Sequence, residues 1–336
     1  MDHRWPAAPS SLPRPSPRQA GAGGGPGAHR EVRPRIEVSR PDKMLFPDDR
    51  ITKAELAEYY AAVAEVMVPH TRGHPVMMQR FPNGIDRPGF VQKASTHAPA
   101  WVHLVEVPKK GGTVTHVMID DAATLVWLAD QACITPHLLL SRADRLDRPD
   151  RLIFDLDPWG DDPAGVRTAA LWLRDLLTDL ALPPLAMATG SRGVHLVIAL
   201  DRAAGFDETR RFAWDVADLL ARRHPDALTV ETRRAARRGR LYLDILRNGY
   251  AQSTVAPYAV RPIKGAPVAV PLRWEEVEDK RFDPRRHTLR TTPERIRRDG
   301  DPWAGMTRRG RSLRQPRRRL DAMRGSEGGV SASPGA

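Results

Sequence analysis

Short apolar runs alternate with amphipathic stretches along the middle of the chain, and the two patterns have different periods. Alternation every second residue, or a short continuous apolar run, indicates a strand, whereas apolar residues three or four apart indicate a helix. The strand candidates are VMMQRF (76–81), GFVQKA (89–94), HLVEV (103–107), HVMID (116–120), LIFDLD (152–157), HLVIAL (195–200) and LYLDIL (241–246). Helical segments interleave with these strands without a strict βαβ rhythm. This pattern predicts an α+β fold with mixed central β-sheets flanked by helices, rather than a Rossmann fold or a TIM barrel.

Four helices are predicted among these strands, two of them from helix-start signals. Thr52 and Glu55 form a capping box ahead of AELAEYYAAVAEVMV. Asp162 precedes a proline and a run of leucines and alanines at helical spacing, which predicts a second helix. The other two helices are expected from about Glu208 to Arg223 and from Asp121 to Ala132.

Composition divides the chain into a central domain and two tails. Residues 1–34 are rich in Pro, Gly, Ala and Arg, and residues 305–336 combine clustered arginines with a Gly/Ser-rich end. Such segments cannot bury a core, so both tails are predicted to be disordered and residues 35–304 to form the folded domain. The basic C-terminal tail is either a solvated segment or a non-specific phosphate-binding arm.

The net charge of +12 indicates a polyanionic partner, usually nucleic acid, unless an arginine-rich composition alone explains it. Cys133 is the single cysteine, which excludes an internal disulfide and a cysteine-based zinc site and fits a reducing cytoplasm. No apolar run reaches membrane-spanning length, and the N-terminus has no apolar core of a secretory signal. We therefore expect a cytoplasmic protein without a membrane partner.

Paired acids in RLIFDLDPWG are the strongest local chemical signal. Asp155 and Asp157 are two residues apart on a predicted strand, so their side chains share one face, about 7 Å apart. Burying two unpaired carboxylates in an apolar segment is costly, and Mg²⁺ or Mn²⁺ would remove that cost. The motif alone is weak, because phosphatases and glycosyltransferases use the same spacing.

A second acidic strand, RLYLDILRN, places Asp244 between Leu243 and Ile245. Three carboxylates from two strands are the minimum set for two-metal phosphoryl transfer, in which two ions support the attacking and leaving oxygens. The structural alternative is an ion pair, for example between Asp244 and Arg247.

The third signal is the glycine-containing segment MATGSRGVHLVIAL. Thr189, Ser191 and Arg192 surround two glycines before a strand that starts at His195. Small residues let backbone N–H groups approach phosphate oxygens, and the side chains add further donors. The structural alternative is a β-hairpin turn followed by a histidine with an internal hydrogen bond.

The order of these motifs resembles the polymerase domain of LigD, the bacterial non-homologous end-joining protein, within the archaeo-eukaryotic primase superfamily. The resemblance extends from about Val38 to about Trp303. It is carried by RPDKMLFP, ITKAELAEYY, QRFPNGID, FVQKA, DRPDRLIFDLDP, TGSRGVHLVI, LYLDILRN and TVAPYAVR. The implied fold has central β-sheets of the archaeo-eukaryotic primase type.

This resemblance implies a role for each matching residue. Asp155, Asp157 and Asp244 match the catalytic metal-binding triad. The positions that match nucleotide-binding residues are Thr189, Ser191, Arg192, His195, Arg247, Arg261 and His137. The remaining matches are Lys43 and Lys53 at a DNA 5′-phosphate, and Arg80, Phe90 and Lys93 near template and primer. The alternatives are solvated lysines and, for His137, a core histidine.

Two positions depart from the family pattern. The family often has two aromatic residues before the QK or EK step, whereas this chain has Phe90 followed by Val91. The glycine turn contains Arg192 where a lysine is more usual, and arginine is not an equivalent donor. Base stacking and phosphate contacts are therefore expected to differ in detail from those of the family.

The implied activity is template-directed addition of nucleotides, preferentially ribonucleotides, to 3′-ends at DNA gaps or double-strand breaks. The implied cofactors are two Mn²⁺ or Mg²⁺ ions, with NTP or dNTP substrates. The chain lacks a K-x-D-G ligase motif, so we expect a stand-alone polymerase domain in the nucleoid that cooperates with Ku and a separate ATP-dependent DNA ligase. The alternative from another class is a catalytically weak module that binds and bridges DNA ends.

Overall fold

Two six-stranded β-sheets and eight helices make up the part of the chain that the computed structural model describes, residues 36–95 and 97–329. The predicted disordered tail at residues 1–34 lies outside these described residues. The strands are β1 (Met44–Phe46), β2 (Ile51–Thr52), β3 (Pro75–Arg80), β4 (Phe90–Gln92), β5 (Leu104–Lys109), β6 (Gly112–Met118), β7 (Cys133–Leu139), β8 (Arg151–Asp157), β9 (Leu185–Ala188), β10 (Val194–Ala199), β11 (Leu228–Thr229), β12 (Leu241–Asp244), β13 (Ser253–Val255) and β14 (Val270–Leu272). The helices are α1 (Lys53–Thr71), α2 (Ala122–Asp130), α3 (Pro163–Asp179), α4 (Phe206–Arg223), α5 (Arg234–Arg237), α6 (Trp274–Glu278), α7 (Thr292–Asp299) and α8 (Arg314–Gly329).

The first sheet has the strand order β11-β12-β8-β10-β9-β14. Strand β8 lies near its centre and pairs antiparallel with both β12 and β10. Phe154 and Leu156 on β8 are fully buried, and α3 and α4 pack against this strand. Because side chains alternate along a strand, Asp155 and Asp157 lie on the opposite face of the sheet from Phe154 and Leu156.

The second sheet has the order β13-β7-β3-β6-β5, with β4 paired to β3. Helix α2 packs against β7, and α1 packs against α2. The Tyr60 hydroxyl on α1 donates to Ile134 O at 2.6 Å and accepts from Val260 N–H at 3.2 Å. These bonds fix the position of Val260, and so of the neighbouring Arg261, relative to the second sheet. A further β1–β2 hairpin precedes α1.

The four predicted helices are all present. Thr52 accepts from Glu55 N–H while the Glu55 carboxylate accepts from Thr52 N–H, which completes the predicted capping box of α1. Asp121 and Asp162 cap α2 and α3 through their side chains. Helix α4 begins at Phe206, two residues before the predicted start. No helix in the described part of the chain has the length and apolar character needed to cross a bilayer.

Strand β7 is not among the strands predicted from the sequence, and the predicted strand at 241–246 is longer than the observed one. The segment around His137 follows α2 directly, yet it forms the buried strand β7, which pairs with β13 and β3. The predicted strand 241–246 ends at Asp244, because a 3-10 turn at Leu246–Asn248 follows. Asn248 stabilises that turn through hydrogen bonds to the backbone of Ile153 and Ile245.

The prediction that residues 305–336 are disordered is wrong for the described part of that segment. Residues 314–329 form α8, and Leu313 and Leu320 are buried against the domain. Two arginines of the helix also pair with Asp215 on α4. Composition alone does not predict this helix. A few apolar side chains and one carboxylate on the domain are enough to hold a basic segment against it.

Candidate active site

Three carboxylates and an imidazole lie together on the face of the first sheet that is not covered by α3 and α4. Asp244 on β12 pairs directly with Asp155 on β8, and His195 on β10 pairs with Asp155 from the other side. Asp157 lies two residues along β8, opposite Tyr242. Directly opposed residues of antiparallel strands have Cβ atoms about 5 Å apart. The strand register therefore brings the three predicted metal ligands into one acidic patch.

Arginine side chains lie against each of these carboxylates. Arg247 Nε is 3.9 Å from Asp155 Oδ2 and 3.7 Å from Asp244 Oδ2. Arg237 Nη1 donates to Asp157 Oδ2 at 3.0 Å, and Arg192 Nη2 lies 3.8 Å from Asp157 Oδ1. The Asp244–Arg247 pair considered as a structural alternative is thus present within the patch. The guanidinium groups offset negative charge that would otherwise be costly to bury.

The chemistry of these donors fits a divalent cation, whereas their present arrangement is not a closed site. Carboxylate oxygens are preferred by Mg²⁺ and Mn²⁺. Among the described residues, however, no three Asp, Glu, His or Cys side chains converge closely enough to enclose one ion. Arg237 and Arg247 lie against oxygens that such an ion would use. Cation binding would therefore require these side chains to move, and the metal role of the triad stays a prediction.

The surroundings shift the pKa values of neighbouring acids in opposite directions. Burial would raise the pKa of Asp155, but His195, Arg247 and Arg261 outweigh it and hold that pKa below its ordinary value. Burial raises the pKa of Asp244, and the charge of Asp155 adds to this effect against a hydrogen bond from Leu246 N–H. Divergent pKa values within one cleft are characteristic of functional sites.

An open cavity lies between the two sheets and contains much of this patch. The lining residues are His137, Asp155, Leu156, Asp157, Thr189, Ser191, Arg192, Gly193, His195, Arg247, Ser253, Thr254, Val255 and Arg261. All seven residues predicted to bind nucleotide therefore line one cavity. Asp244 does not line the cavity, but it pairs with Asp155, which does.

The turn between β9 and β10 forms one wall of the cavity. Thr189 donates to Gly193 O through both its N–H, at 3.1 Å, and its hydroxyl, at 3.0 Å. Gly190 has φ +65°, and a Cβ there would lie 2.7 Å from the carbonyl carbon of Val268 and 2.8 Å from Cγ of Arg261. Glycine is therefore required at this position. The predicted alternative of a hairpin turn is correct as local geometry, and this hairpin faces the cavity.

The opposite wall comes from the second sheet and the segment after β13. His137 on β7 pairs with Val255 on β13. Burial, together with Arg261, Arg247 and His195, lowers the pKa of His137 to about 3, so its imidazole is neutral at pH 7. Arg261 Nε is buried and has no hydrogen-bond partner among the described residues. This arginine therefore retains a donor that an anionic ligand could use.

The predicted 5′-phosphate pair lies away from the cavity, at the β1–β2 hairpin. The two lysines are adjacent, because Lys53 N–H donates to Lys43 O at 2.8 Å. The Lys53 ammonium is buried and bonded to Asp130 Oδ1 and Ser39 Oγ, both at 2.9 Å. The alternative of a solvated surface lysine is therefore wrong for Lys53, whose ammonium is buried and paired with Asp130. The 5′-phosphate role of the two lysines stays a prediction. Lys43 Nζ lies 3.5 Å from Asn83 Oδ1.

The residues predicted to lie near template and primer are grouped at β3 and β4 of the second sheet, outside the cavity lining. Phe90 pairs with Arg80, whose guanidinium carbon lies 5.5 Å from the Phe90 ring centre. The phenylalanine and the following Val91 are both about half exposed, and Lys93 is exposed. This edge therefore presents an apolar and basic surface that could contact unpaired bases.

Several residues of the site were not predicted. Ser253 and Thr254 line the cavity, and Thr254 Oγ1 is 3.3 Å from His195 Nδ1. Arg237 pairs with Asp157 and stacks over Tyr242 with 4.0 Å between guanidinium carbon and ring centre. Thr254 belongs to the quoted segment TVAPYAVR and could have been singled out there. Arg237 lies in the run RRAARRGR, where no local signal separates one arginine from the others.

Comparison with known proteins agrees with this architecture. Residues 52–303 match the model of the LigD primase-polymerase domain. The Mycobacterium tuberculosis multifunctional non-homologous end joining DNA repair protein LigD is 34% identical over 277 residues, which are 80% of this chain and 36% of that protein. The Pseudomonas aeruginosa LigD is 33% identical over 298 residues, 86% of this chain and 35% of that protein. The Bacillus subtilis bifunctional LigD is 29% identical over 275 residues, 81% of this chain and 44% of that protein.

A solved structure of the polymerase domain from M. tuberculosis ligase D, in complex with DNA, superimposes with a TM-score of 0.77 at 32% identity. The match covers 82% of this chain and 99% of that domain. The two sheets and their shared cavity thus define a primase-polymerase fold, which confirms the predicted fold class. The chain belongs to the LigD primase-polymerase domain family. It spans between about a third and under half of the length of the relatives it matches.

Proposed function

We propose that this chain is a template-directed nucleotidyltransferase that extends 3′-ends at gaps or breaks in DNA during non-homologous end joining. The observation that carries the proposal is the strand register, which places Asp244 opposite Asp155 and on the same face as Asp157. Asp155 and Asp157 line the cavity together with Arg192, Arg247 and Arg261. Family membership and the DNA-bound structure of a relative support the same reaction class. The proposal includes a preference for ribonucleotides, cooperation with Ku and a separate ligase, and a location in the nucleoid.

The side chains of the cavity can bind and orient a nucleoside triphosphate. Arg261 offers an unpartnered Nε, and Arg192 and Arg247 present partly exposed guanidiniums to the same space. Preorganised cations of this kind stabilise charge that develops on a departing pyrophosphate. Neutral His137 can accept or donate one hydrogen bond without repelling the arginines, because its pKa is about 3. These contacts would align the α-phosphate with an attacking 3′-hydroxyl.

The three carboxylates would bind the metal ions of the reaction. Asp155, Asp157 and Asp244 would hold one or two Mg²⁺ or Mn²⁺ ions after Arg237 and Arg247 move away from their oxygens. Such ions, when bound, lower the pKa of a coordinated hydroxyl and neutralise phosphate charge. His195 lies 3.5 Å from Asp155 and 3.3 Å from Thr254, so it orients the carboxylate from the side opposite Asp244.

Primer extension on a gapped duplex with labelled UTP and Mn²⁺ tests the proposal. Asp157→Ala should reduce incorporation by at least about a hundredfold, the loss expected when one charge-stabilising group is removed from a transition state. Asp226→Ala is the matched control, because Asp226 is exposed and lies outside the cavity lining. Unchanged extension by the Asp157 variant would refute the proposal. Binding of the gapped duplex by the native chain without incorporation would favour the end-binding module instead.

A further inference from the structure

The C-terminal extension follows the segment that matches the family model, which ends at residue 303, and it folds back onto the domain. Leu313 and Leu320 are buried. Arg317 Nη1 donates to Asp215 Oδ2 at 2.6 Å, and Arg324 pairs with the other oxygen of the same carboxylate. The guanidinium of Arg317 also lies over Phe212, 5.2 Å from its ring centre. Apolar contacts and two ion pairs thus fix the position of this segment.

Positive charge on this extension exceeds what docking requires. No acidic residue occurs between Asp301 and Asp321, an interval that contains seven arginines. Five of them are exposed and have no acidic partner within the described residues, and a sixth, Arg319, donates only to the carbonyl of Asp179. We call these six the C-terminal arginine surface: Arg308, Arg309, Arg311, Arg314, Arg318 and Arg319.

The C-terminal arginine surface is separated from the catalytic cavity. Helix α8 packs on α4, and α4 covers the face of the first sheet opposite to the acidic patch. Arg311 forms a β-bridge with Leu200, just beyond the end of β10. This point is five residues from His195, about 16 Å along an extended strand. None of the six arginines lines the cavity, so a nucleotide bound there would leave them without a phosphate contact.

The arginine-rich composition of this surface indicates which kind of partner it would bind. Guanidinium groups bind phosphate oxygens through two parallel N–H donors, and such contacts need no apolar component. Protein interfaces usually need buried aromatic or aliphatic anchors. None of the exposed large apolar residues of the described chain lies in residues 304–326, and the only one beside a residue that contacts α8 is Trp214, next to Asp215 on α4. We propose that the C-terminal arginine surface binds the backbone phosphates of duplex nucleic acid, as a second site distinct from the cavity.

Binding of a blunt duplex to the full chain, measured over a series of salt concentrations, tests this second site. The variant is Arg314→Gln with Arg318→Gln, which removes two exposed charges and leaves the Arg317 and Asp215 contact intact. The matched control is Lys280→Gln with Arg297→Gln, an equal loss of charge at exposed positions elsewhere. Each lost phosphate contact should reduce the slope of log affinity against log salt by about 0.9, so we expect a change of about 1.8. The control should retain the native slope.

A native slope and affinity in the Arg314 and Arg318 variant would overturn the proposal. A second titration uses polyglutamate in place of the duplex. If the variant loses polyglutamate binding but binds the duplex like the native chain, the proposal is overturned and an acidic protein partner is indicated. The same measurements are made in the Asp157→Ala background. The proposed site predicts the same change of slope there, so a failure of the polymerase proposal and a failure of this one are distinguishable.

Discussion

Removal of the Asp150 side chain should cost this protein a large part of its stability. Asp150 precedes β8 and is buried, with His74 Nε2 at 3.0 Å from both carboxylate oxygens. Arg142 Nε and Arg151 Nε donate to it at 2.9 and 3.2 Å. Arg151 is only 2% exposed, so Asp150→Ala would leave a buried guanidinium without its counter-ion. Breaking a buried ion pair from one side costs about 3–5 kcal/mol.

Urea denaturation at pH 7 measures this cost as a shift in the free energy of unfolding at constant m-value. The matched control is Asp147→Ala, because Asp147 is half exposed and pairs with Arg148 at 3.2 Å on the surface. Surface pairs contribute about 0–1 kcal/mol. A loss below about 1 kcal/mol in the Asp150 variant would show that water or side-chain movement compensates Arg151.

The pH dependence of the same variant provides an independent check. Burial opposes ionisation of Asp150, but His74, Arg151 and Arg142 outweigh it and hold the pKa of this carboxyl well below its usual range. A carboxyl with a lowered pKa in the folded state stabilises the protein above its unfolded pKa, about 3.9, and loses this effect as the pH falls further. The stability difference between native protein and variant should therefore be full at pH 7 and shrink below about pH 4. An undiminished difference at pH 3 would contradict the electrostatic explanation.

Two further predictions concern the backbone around the acidic patch. Gly193→Ala should abolish UTP incorporation in the primer-extension assay, because the added Cβ would overlap the carbonyl oxygen of Leu156 between the two acids; activity near the native level would show that the turn can shift. Asn248→Ala should lower the free energy of unfolding by about 2–4 kcal/mol in urea titration, since it leaves the N–H and carbonyl of Ile153 and the carbonyl of Ile245 without their partner; a loss under about 1 kcal/mol would indicate that water replaces the amide.

Local signals account for the parts of the fold that the sequence predicted. The caps of α1, α2 and α3 depend on residues within three positions of each helix start, and such contacts can be recognised in a single chain. The spacing of Asp155 and Asp157 likewise determines a shared face without knowledge of the partner strand. That Asp244 pairs opposite Asp155 required the strand order, which periodicity does not contain.

The missed features depend on contacts between distant segments. Lys53 is 77 positions from Asp130, so no local pattern shows that its charge is compensated. Helix α8 is stabilised by Asp215, about a hundred residues earlier, and its composition alone resembles a disordered tail. The strand β7 follows α2 so closely that an apolar run there could extend either element. In each case the tertiary partner, not the local propensity, determined the structure.

The charge balance of the cavity connects these observations to the proposed reaction. Asp155, Asp157 and Asp244 face Arg192, Arg237 and Arg247, with buried Arg261 close by, so the free protein is nearly neutral there. The guanidiniums that compensate the acids include those that would bind a triphosphate. If a cation bound alone, it would displace arginines from the carboxylates and leave those arginines without a counter-charge. If a triphosphate bound alone, it would draw the arginines away and leave the carboxylates without theirs. Binding of both together preserves the balance, so nucleotide and divalent ions should enter this cavity as mutually dependent ligands.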